Sequence, residues 1–272
     1  MFKICRHQLR MALASLRFYI ALFMGCAIQI VGIMPLLEYA QGMGKPLSLL
    51  EGFVCFSCER YTISAVFLSI VFLVSDIPFS SENETYTLLR VSRKKWLAGK
   101  VLYLFCACVL FYLVVLLAGM AFLSADAYVG NFWSEPFYYL YQNSYPHVLL
   151  LRPLQAVLIA ISLNVAYGFT MSLFLFFCNL KLPKTLGYAV TMLLHAVFYM
   201  ILSAFQSSYY ARYSLLGNSL LMYHSIGGQY SELLLPLSQS FFVFGVTIAV
   251  LIILIFIGIR KYDFRITVGA KQ

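Results

Sequence analysis

Charged residues are scarce in this chain, and motifs that would let it catalyse a reaction alone are missing. Only 11% of its 272 residues are charged, whereas 62% are hydrophobic. Because a soluble domain carries about 25% charged residues, the composition excludes a large soluble domain. The sequence contains no G-x-x-x-x-G-K-[ST] nucleotide loop, no H-E-x-x-H zinc motif and no G-x-S-x-G serine elbow. Its four histidines are widely scattered, so we expect neither a metal site nor enzyme activity of the chain on its own.

Six apolar runs dominate the sequence, and each is about 20 residues long, the length at which a helix crosses a bilayer. They cover roughly residues 18–37, 61–79, 101–123, 154–178, 186–205 and 239–259. The runs lack the alternation of a strand, and lipid permits only helices or closed barrels. We therefore predict an all-α integral membrane protein with six transmembrane helices in a single transmembrane domain, 1–272.

The basic residues are distributed unequally along the chain. If the N terminus is cytoplasmic, the segments on that side hold 15 of the 19 Lys and Arg residues, and the other side keeps Lys45, Arg60, Arg152 and Arg212. Because positive charge marks cytoplasmic loops, we predict that both termini are cytoplasmic. The net charge of +9 then reflects topology and anionic lipid, and it does not indicate nucleic acid as a partner.

The N-terminal segment, 1–17, has a helical periodicity of its own. Basic side chains fall on one narrow arc of the helix: Lys3, Arg6, Arg10 and Arg17. Apolar side chains fall on the adjacent arc, namely Phe2, Cys5, Leu9, Leu13 and Leu16, while Gln8 and Ser15 lie on a third side. This pattern predicts an amphipathic helix in the inner headgroup layer. The alternative is a positive flank that only orients the first span.

The most polar segment, 80–100, lies between the second and third spans. Ser81-x-x-Glu84 matches a capping box, in which serine and glutamate side chains satisfy the first amides of a helix. Leu88 and Leu89 follow on this short helix, Ser92 can cap the next one, and Trp96 suits an anchor at the membrane interface. An ordinary cytoplasmic hairpin with positive charges is the competing interpretation.

With these elements the layout resembles the permease subunits of ABC exporters of the ABC-2 type. That family has six spans, a basic amphipathic elbow helix before the first, and a coupling helix between spans two and three. Two positions depart from its pattern: Thr85-Tyr86-Thr87 stands where a glycine is frequent, and Val91 replaces a proline. The resemblance implies that the following residues contact the ATPase: Glu82, Glu84, Thr85, Leu88, Leu89, Arg90, Ser92, Arg93 and Lys94.

The resemblance also implies the partners. Two copies of a cytosolic ATPase would bind ATP and Mg, so the permease would bind no cofactor directly. A second permease chain would complete a homodimer in the plasma (inner) membrane of a bacterium. An amphipathic or hydrophobic cargo is expected, a peptide of the phenol-soluble-modulin type first and a lipid-linked glycan or a small drug as alternatives. A membrane scaffold or immunity protein that binds hydrophobic peptides without turnover is the competing class.

Few other polar residues fall near the spans. Gln29, Asn164 and His195 lie deepest, and each is either a hydrogen-bonding group between helices or a lining residue of a cavity. Cys55 and Cys58 have redox spacing but lack the strand–helix context of a redox motif. The loop 124–152 is rich in aromatic residues, which favour the outer membrane interface.

Overall fold

Long apolar helices make up most of the protein. The structure, a computed structural model, describes residues 2–77, 91–204, 210, 212–225 and 234–261. Five helices in these ranges are long and apolar enough to cross a membrane. They are α2 (Leu16–Met43), α5 (Arg93–Leu123), α7 (Pro153–Lys181), α8 (Lys184–Ala204) and α9 (Leu237–Lys261). Each overlaps an apolar run in the sequence, so helical type is confirmed for these five runs, with lengths and compositions that suit membrane spans.

Helix α4 (Arg60–Val74) covers most of the second predicted span, 61–79. A further helix, α3 (Glu51–Cys58), precedes it at an angle of 93°, and the two make a sixth span only if they are counted together. Glu59 between them has an extended backbone (φ −91°, ψ 119°), which interrupts the helical hydrogen bonds. The Thr62 hydroxyl lies 2.6 Å from the Phe56 carbonyl oxygen and 2.8 Å from that of Glu59. Hydrogen bonding from Thr62 therefore adds a side-chain contact across the break, beside the backbone hydrogen bonds that these carbonyls accept from the Glu59 and Ile63 amides.

The N-terminal segment forms a helix, α1 (Phe2–Leu13), as predicted, and one side of this helix is buried in the protein. Cys5 and Gln8 are its buried residues, and the helix packs against α5. Phe2 and Leu16, expected on the apolar arc, are each 75% exposed. Ser15 ends the segment by accepting a hydrogen bond from the Phe18 amide at 3.3 Å, which caps α2. Gln8 turns inward because it has a buried partner on α5.

Short elements cover the end of the bundle at which α2 and α5 finish, here called the distal face. They are β1 (Leu47–Ser48), β2 (Ala127–Tyr128), α6 (Glu135–Tyr141), β3 (His224–Ser225), β4 (Leu235–Pro236) and 3-10 turns at Val148–Leu150, Gly217–Ser219 and Leu221–Tyr223. Strand β1 pairs in parallel with β2, and β3 with β4. The buried carboxylate of Glu51 accepts hydrogen bonds from the Ser48 amide (2.9 Å) and the Ser134 hydroxyl (2.7 Å). Glu51 thereby joins the first strand to the start of α6.

The aromatic residues of loop 124–152 divide between two environments. Trp133, Phe137 and Tyr141 stack with ring centres 4.5 and 4.4 Å apart. Phe137 is fully buried and Tyr141 is 4% exposed, whereas Tyr138 is 49% exposed. The prediction of interfacial aromatic residues is therefore wrong for Phe137 and Tyr141, because α6 turns one of its sides onto the bundle.

Helix α7 is the central helix and packs against α3, α4, α5, α8 and α9. Lipid is as apolar as a leucine side chain, so close packing and hydrogen bonds must hold such helices together. Polar side chains of α7 contact a different element at each level. The contacts are Asn164 Nδ2 to Ser57 Oγ (3.2 Å), Tyr167 OH with His195 Nδ1 (2.6 Å), Ser172 Oγ with Cys108 Sγ (3.7 Å) and Asn179 Nδ2 to the Ile77 carbonyl oxygen (2.6 Å).

A glycine substitution tests the close packing of α2 on α5. A Cβ atom on Gly25 would lie 2.5 Å from Phe111 Cζ and 3.2 Å from Val115 Cγ2, whereas one on Gly245 would have nothing within 4 Å. Phe111 is fully buried, so we expect Gly25→Ala to destabilise the protein by about 1–3 kcal/mol. Thermal unfolding of the detergent-purified protein would show a lower Tm for Gly25→Ala and an unchanged or higher Tm for Gly245→Ala. Equal effects of the two substitutions would contradict the helix packing described.

Candidate functional site at the basic face

Positive charge concentrates at one end of the bundle, where α2, α5 and α8 begin and α4, α7 and α9 end. We call this end the basic face. Ten basic residues whose side chains the structure describes lie there, namely Lys3, Arg6, Arg10, Arg17, Arg93, Lys94, Lys95, Lys100, Lys181 and Lys184. Asp76 is its one acidic residue within the described ranges, whereas Glu38, Glu51, Asp126 and Glu135 lie toward the distal face. The two ends therefore differ in charge as the predicted topology requires.

The junction of α1 and α2 is tied to the end of α4. Arg17 forms an ion pair with Asp76, and its Nη1 also donates to Ser75 Oγ at 3.2 Å. The Arg17 guanidinium carbon lies 5.9 Å from the centre of the Phe72 ring, at the outer limit of a cation–π contact. These contacts fix the residues directly before the polar segment 80–100.

A buried lysine, the last residue of that segment, ties α1 to α5. Lys100 is fully buried, its Nζ donates to Gln8 Oε1 at 3.0 Å, and it lies 5.7 Å from the centre of the Trp96 ring. A buried ammonium group requires such polar and aromatic partners, because transfer out of water is costly. Trp96 is 1% exposed and packs edge-on against Phe176. The prediction that Trp96 anchors at the membrane interface is therefore wrong.

Two further helices reach the ends of the same segment. Asn179, on α7, donates to the Ile77 carbonyl oxygen, the last residue described before the gap. Arg93 Nη1, at the start of α5, donates to the Ile259 carbonyl oxygen of α9 at 3.4 Å. Lys94 Nζ lies 5.9 Å from the centre of the Phe256 ring of α9. Both ends of the segment 78–90 are thus held by contacts that involve α1, α2, α7 and α9.

The predicted coupling residues fall in two groups. Residues Glu82, Glu84, Thr85, Leu88, Leu89 and Arg90, together with the capping box, lie outside the described residues, so their role stays a prediction. Ser92 does occupy the cap position of α5, with extended φ and ψ of −61° and 143°, but its side chain makes no capping hydrogen bond. Of the predicted elbow residues, Lys3, Arg6 and Arg10 are exposed, and only Arg17 has an ion-pair partner within the described ranges.

The three polar residues deepest in the spans lie at three different helix interfaces. Asn164 contacts α3 through Ser57, and His195 contacts Tyr167 and stacks on Phe67 with ring centres 4.0 Å apart. Gln29 is fully buried on α2, and its amide has no hydrogen-bond partner among the described residues. A role for these residues in a cavity stays a prediction.

A serine and a histidine do meet, but in a setting that favours a structural role. Ser240 Oγ lies 2.8 Å from His224 Nε2 and 2.7 Å from Asn218 Oδ1. His224 Nδ1 lies 2.9 Å from the Leu220 carbonyl oxygen, which can only accept, so this nitrogen carries a proton. Ser240 and His224 are fully buried and Asn218 is 1% exposed. The serine hydroxyl is therefore engaged and inaccessible, and the group joins β3 to the start of α9.

Neither protein-family models, nor curated proteins, nor solved structures show a match to this chain. The function must therefore be inferred from the residues of the chain itself. No group of three or more His, Cys, Asp or Glu side chains within the described ranges is placed to hold a metal ion. The described residues form a positively charged face, and contacts from several helices reach the residues on both sides of the segment 78–90.

A charge exchange tests the tie between Arg17 and Asp76. We expect Arg17→Asp to destabilise the protein, because it places two acids together at the junction, and we expect Arg17→Asp with Asp76→Arg to recover most of that loss. An ion pair of this exposure contributes up to about 1 kcal/mol, so the loss should be a few degrees in Tm in low salt. Arg10→Asp is the matched control, since Arg10 is exposed on α1. A double variant no more stable than Arg17→Asp would contradict the pairing.

Protonation of His224 should destabilise the protein. Burial lowers the pKa of His224 from 6.5 to about 4, and burial lowers the pKa of His147 in the same direction. A histidine with a lowered pKa stabilises the fold above pH 6.5, and this stability is lost as the pH falls toward 4. We expect a loss of about 2 kcal/mol from His224 between pH 7 and pH 5, measured by thermal unfolding. His224→Gln should reduce the dependence of Tm on pH, whereas His7→Gln, at an exposed position, should leave it unchanged. If Tm depends on pH equally in His224→Gln and in the unsubstituted protein, His224 is not the group responsible.

Proposed function

We propose that this chain is the membrane-spanning permease subunit of an ATP-driven exporter, coupled to its ATPase through the polar segment 80–100 at the basic face. The observation that supports this most is the attachment of both ends of that segment to the bundle. Arg17 and Asn179 hold the residues before the gap, and Arg93 contacts α9 after it. A force applied to the segment would therefore reach several spans together.

This attachment suits the transmission of mechanical work. A short helix on a flexible loop would absorb a push by local bending, whereas one joined to packed helices passes it on as a rigid-body tilt. Lys100 adds a link on the far side, because its hydrogen bond to Gln8 makes α1 part of the same unit. Closure of two ATPase subunits beneath the basic face would thus move α1, α4 and α5 as one body.

The energy source must be a separate subunit, since the sequence contains no nucleotide-binding loop. On this proposal, ATP and Mg bind to two copies of a cytosolic ATPase, and two permease chains form the translocation pathway. Both termini lie in the cytoplasm of a bacterium, where the basic face meets anionic lipid and acidic rims of the partner. The apolar character of the helices suits an amphipathic or hydrophobic cargo, with peptide favoured over a lipid-linked glycan or a small drug.

Co-purification and transport test the proposal against the competing scaffold or immunity protein. The complete chain, expressed with the ATPase encoded nearest to it, should retain that ATPase through purification and change its rate of ATP hydrolysis. Inverted vesicles containing both should accumulate a labelled amphipathic peptide only when ATP is present. Peptide binding without ATPase retention and without ATP-dependent uptake would favour the scaffold.

A leucine substitution addresses the coupling contact directly. We expect Leu88→Asp to reduce ATPase retention or ATP-dependent uptake roughly tenfold or more, because apolar anchors dominate protein interfaces while charges at the rim contribute little. Lys94→Ala is the matched control at the same face, and we expect it to lose less than about twofold. Normal assembly and uptake in Leu88→Asp would remove the basis for placing the coupling helix at this position.

A further inference from the structure

An arginine, Arg60, stands at the break between α3 and α4, and it forms no ion pair within the described part of the chain. Arg60 Nη1 donates to the Leu202 carbonyl oxygen and Nη2 to the Tyr61 hydroxyl, both at 3.3 Å. The guanidinium carbon also lies 5.1 Å from the centre of the Tyr61 ring. Both hydrogen-bond acceptors are uncharged, and in the described ranges Arg60 forms no ion pair, even with the preceding Glu59. A partly exposed charge in such surroundings favours an anionic ligand.

The depth of Arg60 follows from helix geometry. A rise of about 1.5 Å per residue places Arg60 about 21 Å from Val74, which lies at the basic face. The same rise places Leu202 about 27 Å from Lys184 at that face. The hydrocarbon layer is about 30 Å thick, so the backbone of Arg60 lies within the distal leaflet. Its side chain reaches toward the headgroups to contact Leu202, as a long basic side chain does in a membrane.

An apolar groove begins beside Arg60 and runs toward the middle of the bilayer. It has a volume of about 360 Å³ and lies between α2 and α4, lined by Ala27, Ile28, Val31, Tyr61, Thr62 and Ala65. The Thr62 hydroxyl is hydrogen-bonded to carbonyl groups of the α3–α4 break. Val31 is 69% exposed and Tyr61 is 59% exposed, so the groove opens on the outer surface of the bundle. Arg60 directly precedes two residues of the groove lining, Tyr61 and Thr62, and its guanidinium packs on the Tyr61 ring.

We propose that this groove and Arg60 form a binding site for an anionic phospholipid of the distal leaflet. Its phosphate would contact the Arg60 guanidinium, which matches a phosphate in charge and geometry, and one acyl chain would occupy the groove. The direction of the site supports a lipid as the occupant, because the charge lies near the headgroup level and the apolar groove extends toward the bilayer centre. The exposed rim opens to the lipid tails. This site lies on the opposite leaflet from the proposed coupling segment and does not depend on that proposal.

Lipid retention by the purified chain tests the site without any need for transport activity. The complete protein would be purified in detergent, mixed with phosphatidylglycerol and analysed for bound lipid by native mass spectrometry. We expect Arg60→Gln to lower retention about tenfold, and Arg60→Lys to lose less because it keeps the charge. Arg152→Gln is the matched control, since Arg152 is another distal arginine, at the start of α7. Equal retention by the protein and Arg60→Gln would overturn the proposal.

Three ligands separate the contributions of phosphate and acyl chain. Phosphatidylglycerol should bind, whereas diacylglycerol, which lacks the phosphate, and inorganic phosphate, which lacks the chains, should each compete at least tenfold less well. Ala65→Phe should reduce retention by filling the groove while Arg60 is intact. If Arg60→Gln does not fold, Ala65→Phe and the competition series decide the question. Competition by diacylglycerol equal to that of phosphatidylglycerol would refute a role for Arg60.

The identity of the occupant is decided by crosslinking. A photoreactive side chain at position 65 should yield lipid adducts in vesicles that contain phosphatidylglycerol. An adduct between two copies of the chain would instead assign the groove to a dimer interface. Preferential capture of an added amphipathic peptide in the presence of excess lipid would assign it to cargo. Either result would overturn the lipid site.

Discussion

The fold depends on the hydrogen bonds by which one buried helix, α7, reaches its neighbours. Asn164, Tyr167 and Asn179 contact α3, α8 and the end of α4 in turn. Association of apolar helices gains little from burial when lipid is the alternative surroundings, so directional contacts and close packing must select one arrangement. Bonds at successive levels of the same helix fix its rotation as well as its position. The position of α3 and of the residues that follow α4 therefore depends on where α7 lies.

The two ends of the bundle carry different kinds of polar structure. At the basic face, Arg17 and Lys100 join separate helices around the polar segment to which we propose that the ATPase binds. At the distal face, Glu51 and His224 hold short elements against the helices with their polar groups satisfied internally. Arg60 differs from both groups, since it is neither buried nor paired with an acid. This contrast is the reason for assigning it an external ligand.

Much of the helix layout was predictable from composition, and the features that were not predicted have identifiable physical causes. The apolar runs locate α2, α5, α7, α8 and α9 because about 20 residues are required to cross a bilayer. Helix α3 was not predicted, because the second span was expected to begin only at residue 61, after the polar residues around Glu59. The burial of Gln8 was not predictable either, because a periodic pattern ranks Gln8 as polar and cannot reveal the buried Lys100 that pairs with it. The burial of Trp96 was missed for the same reason, because the sequence does not show that it packs against Phe176.

The sequence by itself determined the class of element, the number of apolar runs and the unequal distribution of positive charge, because these depend on local composition and length. It also supplied the residues of the predicted coupling segment. Only the tertiary structure decided which polar groups meet: Arg17 with Asp76, Tyr167 with His195, and Arg60 with a carbonyl oxygen of α8. Such pairs join residues far apart in the chain, and their geometry depends on helix rotation and on the bend at Glu59. Those quantities are set by packing among all the helices, and local pattern does not contain them.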